Sequence, residues 1–266
     1  MIQVENLHKS FNGNPILKGI TTTFHKGKTN LIIGQSGSGK TVFLKSLLGL
    51  FTPDEGEIIY DGVPYSQMKR NERVKLRQKM GMVFQGSALF DSMTVLDNVM
   101  FPLKMFSSKT ADEIRERADS VLQRVNLVGA ENKLPSEISG GMQKRVAIAR
   151  AIVNQPHYLF CDEPNSGLDP KTAIVIDNLI KEITEEYNIT TVINTHDMNS
   201  VMEIGEKIIF LKNGFLEWEG SKATIFKTDN QAVTDFVYSS DLFKRVRQMY
   251  IDDDFEVIRS TFSFTF

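Results

Sequence analysis

The chain has 266 residues, 41% hydrophobic and 24% charged, an ordinary globular balance with room for one large α/β domain. Its 31 basic and 33 acidic residues leave a formal charge of −2, which argues against a nucleic-acid partner. The single cysteine, Cys161, excludes an internal disulfide, and no window approaches the roughly 18 uninterrupted apolar residues of a membrane span. The opening "MIQVENLHKSF" lacks a basic segment followed by an apolar one, so no secretory signal is expected. A cytoplasmic protein fits these bounds.

"IQVENL" and "ILKGITTTF" are predicted strands, and "TNLII" is a strand ending at Gly34. A helix is predicted over 41–48, followed by the strands "GEIIYDG" and "MGMVFQ". From about 86 to 153 the pattern turns helical. Thr110 and Glu113 have capping-box spacing, and Ile114, Ala118, Val121, Leu122 and Val125 share one helical face behind them. "HYLFCDE" is a buried strand, 173–187 a helix, "TTVINTH" a strand, and "KIIFLKNGFLEWEG" a hairpin turning at Asn213 and Gly214. Strands alternating with helices predict a mainly parallel sheet covered by helices, with the block at about 86–153 inserted as a helical subdomain. After about residue 240, charge clusters mix with phenylalanines, which marks 241–266 as an extension of a domain at 1–240.

"GQSGSGKT" at 34–41 fits G-x-x-x-x-G-K-[ST]. Gly34, Gly37 and Gly39 let the backbone approach an anion, with Ser36 and Ser38 between them. The helix that follows presents its positive end to the same anion. Lys40 reaches the β- and γ-phosphates of a nucleoside triphosphate, and the Thr41 hydroxyl can ligate Mg²⁺. A plain Gly/Ser turn is the alternative, and the flanking strand and helix disfavour it.

Asp162 and Glu163 end an apolar strand, where burial without a cation or partner is costly. Asp162 can hold Mg²⁺ through its water shell, and Glu163 can take the proton of an attacking water. Ser139, Gly140 and Gly141 open a helix carrying Lys144, Arg145 and Arg150, which reads either as a second anion site or as an ordinary glycine cap. Gln85 and His196 each follow a strand. Alone, each is more often structural than catalytic.

The order of these pieces, completed by Ser166, Gly167, Leu168 and Asp169, resembles the nucleotide-binding subunits of ABC transporters over about residues 1–240. The resemblance implies a P-loop ATPase core with an antiparallel β subdomain and a helical insert. It also implies a Mg²⁺-dependent ATPase that pairs head to tail, with ATP between the phosphate loop of one subunit and Ser139–Gly141 of the other. In that family Gln85 would link Mg²⁺ and the attacking water to the helical subdomain. His196 would contact the γ-phosphate, Asp169 would lie in the loop crossing the interface, and Phe11 would stack on adenine. Ile138 and Met142 depart from the commonest signature. "SGGM", with "GMVFQGSALFDSMTVLDNVMFPL", resembles the ATPase of Mla-type (Mce-associated) bacterial lipid transporters. That likeness implies a motor for phospholipid transport between membranes. It would sit on the inner face of the inner membrane through integral permease subunits, and through them reach a periplasmic Mce-type lipid-binding protein. A transporter of another substrate, such as an amino acid or a metal complex, is the alternative. The segment 86–90 is expected to receive a permease helix.

Three other classes compete. A soluble ABC protein of translation or repair would carry two cassettes or a long coiled-coil insertion. A small-molecule P-loop kinase leaves Ser139–Gly141 unexplained. A nucleotide-gated module without turnover has no use for Glu163 and His196.

Overall fold

The computed structural model describes residues 1–238, so the expected extension at 241–266 lies outside the described residues. The chain runs β1 (Ile2–Phe11), β2 (Asn14–Phe24), β3 (Thr29–Ile33), α1 (Lys40–Leu47), β4 (Glu55–Tyr60), β5 (Val63–Pro64), α2 (Arg70–Gln78) and β6 (Met80–Val83). It continues through α3 (Val95–Phe106), α4 (Ala111–Arg124), a single 3₁₀ turn at Pro135–Glu137 and α5 (Gly140–Ile152). The last part is β7 (Tyr158–Asp162), α6 (Pro170–Glu186), β8 (Thr190–Asn194), α7 (Met198–Ile204), β9 (Lys207–Lys212), β10 (Phe215–Gly220) and α8 (Gln231–Val237).

Two sheets form. The smaller is antiparallel, in the order β2-β1-β4-β5, and the larger runs β10-β9-β3-β8-β7-β6. In the larger sheet every pairing is parallel except β9 with β10. This is the α/β architecture with an antiparallel β layer and a helical insert that the sequence predicts.

The central strands are apolar on both faces, as a covered parallel sheet requires. Their side chains alternate between two cores. Leu31, Ile33, Leu159, Cys161, Ile193, Ile208 and Phe210 face the helices α3–α7. Ile32, Tyr158, Phe160, Val192, Ile209 and Leu211 face α1 and the antiparallel sheet, where Phe24 and Phe43 are fully buried. Burial of each large side chain contributes roughly 1.5–3 kcal/mol.

The predicted capping box holds. Thr110 Oγ1 accepts from the Glu113 N–H at 3.3 Å, and Glu113 Oε2 accepts from the Thr110 N–H at 2.7 Å. The five apolar positions behind it are all buried. α6 starts at Pro170, earlier than the predicted 173, because Asp169 caps it and proline suits a first helical position. α2, α7, α8 and the two-residue β5 were not predicted. Among the described residues, no helix is long and apolar enough to cross a membrane.

Candidate functional site

Parallel register brings four strand ends to one level. Ile32 of β3 pairs with Asn194 of β8, Asn194 pairs with Asp162 of β7, and Cys161 of β7 pairs with Val83 of β6. The residues just beyond these ends therefore converge. Gln35, Ser36, Gly37, Gly39, Lys40, Thr41, Gln85, Glu163 and His196 line one open cleft of about 760 Å³, with Ile16, Val42 and Phe236 at its edges.

The loop from Gly34 to α1 is built for close approach. Gly34 has φ 149°, and a Cβ there would lie 2.3 Å from the Leu211 carbonyl oxygen, so only glycine fits. Lys40 is buried, and its Nζ donates to the carbonyls of Gly34 at 2.7 Å and Gln35 at 3.1 Å. Burial lowers the Lys40 pKa, while Glu163 and Asp162 oppose the shift. Ser38 Oγ is buried without a hydrogen-bond partner in the structure, an unmet polar group inside the loop.

Glu163 is the hub of the opposite wall. Its backbone is left-handed at φ 47°, a cost that a β-strand terminus tolerates only when neighbours hold it. Its N–H donates to the Asn194 carbonyl at 2.9 Å. Its Oε2 accepts from Gln85 Nε2 at 3.1 Å, and its Oε1 lies 2.9 Å from His196 Nδ1. Gln85 Nε2 also reaches Ser166 Oγ at 3.4 Å. Asp162 Oδ1 accepts from Asn194 Nδ2 at 3.0 Å. Asn194 is the site residue that sequence reasoning missed. The available signal was one amide at the end of the buried strand "TTVIN", beside the strand carrying Asp162.

The remaining sequence-predicted residues lie elsewhere in this chain. Ser139 caps α5 by accepting from the Met142 N–H at 3.3 Å. Gly140 faces Leu168, and Gly141 packs against Thr172, where a Cβ would come within 2.8 Å of the methyl. Asp169 caps α6 through the Thr172 N–H at 3.0 Å, and the bonds from Thr172 hold its carboxyl below the usual range. Phe11 ends β1, 38% exposed, with its ring 5.1 Å from Phe51 and outside the lining of the cleft.

The family model for ABC transporters matches residues 17–166. The chain belongs to the ABC transporter family. It is 39% identical over 236 residues to the probable ribonucleotide transport ATP-binding protein mkl of Mycobacterium tuberculosis, covering 89% of this chain and 66% of that protein. The match thus spans just under two thirds of that relative's length. It is 34% identical over 260 residues to the intermembrane phospholipid transport system ATP-binding protein MlaF of Haemophilus influenzae, covering 96% of this chain and 98% of that one. The ATP-binding cassette MJ0796, solved as a dimer in a post-hydrolysis state with ADP and Pi, superposes with a TM-score of 0.75 at 36% identity. That likeness covers 84% of this chain and 99% of MJ0796.

Behind the cleft lies a buried polar cluster. Asn165 Nδ2 donates to Ser200 Oγ at 2.7 Å and to Asp177 Oδ2 at 3.2 Å, while Asp177 Oδ1 has no partner in the structure. Burial pushes the Asp177 pKa up to about 6, and the charges of Asp197 and Glu203 add to this, against hydrogen bonding from Ser200 and Asn165. The folded state thus binds this proton more tightly than the unfolded chain. Stability is lost as pH rises from 3.8 through about 6, and the loss is complete above that. Asp177→Asn should raise stability at pH 8 by about 1–3 kcal/mol, with a smaller gain at pH 5. Urea unfolding at the two pH values checks this, and an equal gain at both would contradict the assignment.

Proposed function

We propose that this chain is the ATP-hydrolysing motor of a bacterial ABC transporter that moves phospholipid between membranes. The observation that carries the motor reading is the meeting of Gln85, Glu163 and His196 across the cleft from Lys40. On ATP binding, Lys40 exchanges its loop carbonyls for the β- and γ-phosphates, and the N-terminal end of α1 faces the same charge. Glu163 accepts the proton of a water that attacks the γ-phosphorus, and the bond to the departing ADP oxygen breaks. Gln85 and His196 fix the Glu163 carboxylate, and His196, which lines the same cleft, is assigned to the γ-phosphate. Phe11, at the exposed end of β1, is assigned to the adenine.

Thr41, Asp162 and Gln85 offer hydroxyl, carboxylate and amide oxygens, the hard donors that suit Mg²⁺. The Gln85 amide nitrogen faces Glu163, which leaves its oxygen for the metal side. Magnesium would neutralise charge on the phosphates.

Ser139, Gly140 and Gly141 lie outside the cleft of their own chain, which supports their serving the nucleotide of a second copy, with Asp169 in the loop between. The same proposal assigns 1–240 to the ATPase domain and about 86–153 to its helical subdomain, with 241–266 as an extension that lies outside the described residues.

The lipid assignment is supported by the end-to-end match to MlaF, which extends past the cassette. A second reading, a motor for a polar solute, is favoured by the higher identity to mkl. Either motor would sit on the inner membrane face through its permease. Mass spectrometry of lipids held by the intact complex separates the two.

An apolar groove beside Gln85 suits the permease helix. It is lined by Phe84, Ala88, Phe90, Phe101, Pro102 and Phe106, among others, with Phe84 and Phe90 about two-fifths exposed. Leu89, expected to share this surface, packs against the core instead, since the chain reverses through left-handed Ser87 and Ala88.

Glu163→Gln keeps shape and removes basicity. Turnover should fall by about 10²–10⁴-fold while ATP stays bound and a dimer accumulates. Lys40→Ala should instead lose ATP binding and never form that dimer. Phosphate release beside light scattering reads both, and parental turnover in Glu163→Gln would remove the catalytic assignment. Phe84→Asp with Phe90→Asp should release the permease on co-purification and leave ATP binding intact.

A further inference from the structure

Three backbone carbonyls of the loop after β6 are held by one helix. Lys144 of α5 donates to the carbonyl of Gln85 itself. Arg150 of the same helix donates through Nη2 to Ser87 at 2.9 Å and through Nη1 to Ala88 at 2.8 Å. Ser87 and Ala88 are both left-handed, at φ 62° and 47°. Neither is glycine, so two such residues in succession persist only where their surroundings hold them. Burial lowers the pKa of both cations. Each donates to backbone carbonyls rather than to a carboxylate. Withdrawing two cations from water for this purpose is costly and needs a return.

We infer that Lys144 and Arg150 are positioning residues that hold the Gln85 loop in the one geometry that brings the Gln85 amide to Glu163. The inference rests on the proposed role of Gln85. Arg150 is the stronger anchor, because its planar guanidinium holds two successive carbonyls through N–H groups fixed in one fork, whereas a lysine ammonium is a point charge on a flexible stem. It also lines the apolar groove, with its guanidinium 5.8 Å from the Phe90 ring centre. A helix docked in that groove would touch the side chain that fixes Gln85. α5 begins at Gly140, so one rigid rod joins the nucleotide contact of a second copy to the Gln85 loop of its own chain.

The test is a double-variant cycle on ATP hydrolysis by the full chain. Gln85→Ala should lower kcat about 10-fold or more. Arg150→Lys should lower kcat by a similar factor and leave KM for ATP within about twofold, because only the transition-state geometry is disturbed. The double variant should be no slower than Gln85→Ala alone, since Arg150 acts through Gln85. Amide exchange at Ser87 and Ala88 should quicken in Arg150→Lys while its melting temperature holds. If Arg150→Lys does not fold, Lys144→Met enters the same cycle through the Gln85 carbonyl. Multiplying effects in the double variant would overturn the inference and leave the role of Gln85 standing. Parental kcat in Gln85→Ala would overturn that role, and the inference with it.

Discussion

The register of four parallel strands is the constraint on which the site depends. Ile32, Asn194 and Asp162 lie side by side, with Val83 one step further along the sheet beside Cys161. Side chains in a strand alternate between faces, so a slip of one residue would exchange the two cores and misplace every group beyond the strand end. The apolar alternation resists that slip. In β9, Ile208 and Phe210 belong to one core and Ile209 and Leu211 to the other. The phosphate loop adds a second lock, because the backbone of Gly34 lies against Leu211 with no room for a Cβ.

Burial at this junction is not purely apolar. Asn194 is fully buried, yet it holds Asp162 through its side chain and Glu163 through its carbonyl. Losing either bond would leave a polar group unpaired at a cost of about 1–3 kcal/mol, on top of the Asn194 Oδ1 that already has no partner in the structure, so the pairing that exists fixes both carboxylates together. Glu163 takes the left-handed backbone that this pairing sustains. The strain sits where the chemistry is, and the strands supply the stability that offsets it.

Much of this was legible in the sequence, and the reason is locality. The phosphate loop, the capping box at Thr110 and the turn at Asn213 are each encoded within a few residues. α2 was not legible, because "RNERVKLRQ" buries only Leu76 and shows no apolar stripe. α7 has seven residues and β5 two, too short to carry a period. The contact of Gln85 with Glu163 joins positions 78 apart, and only the sheet order brings them together. Leu89 misled for a related reason. Its apolar character suits either surface or core, and the left-handed turn before it is invisible in "GSALF".

α5 shows how one element can face two tasks. Its first-turn N–H groups at Gly140 and Gly141 have no intrahelical acceptor, and Ser139 and Gly140 are exposed. Ten residues on, about 15 Å along the axis, Arg150 grips the loop of the chain's own cleft. The intervening Val146, Ala147, Ile148 and Ala149 are fully buried, so the helix cannot bend or slide freely between its ends. Both ends of the helix are therefore tied to one buried segment, which is what the proposed link between the exposed end and the Gln85 loop requires. Small residues at 147 and 149 let that rod lie close to its neighbours, and close packing is what makes its two ends move as one.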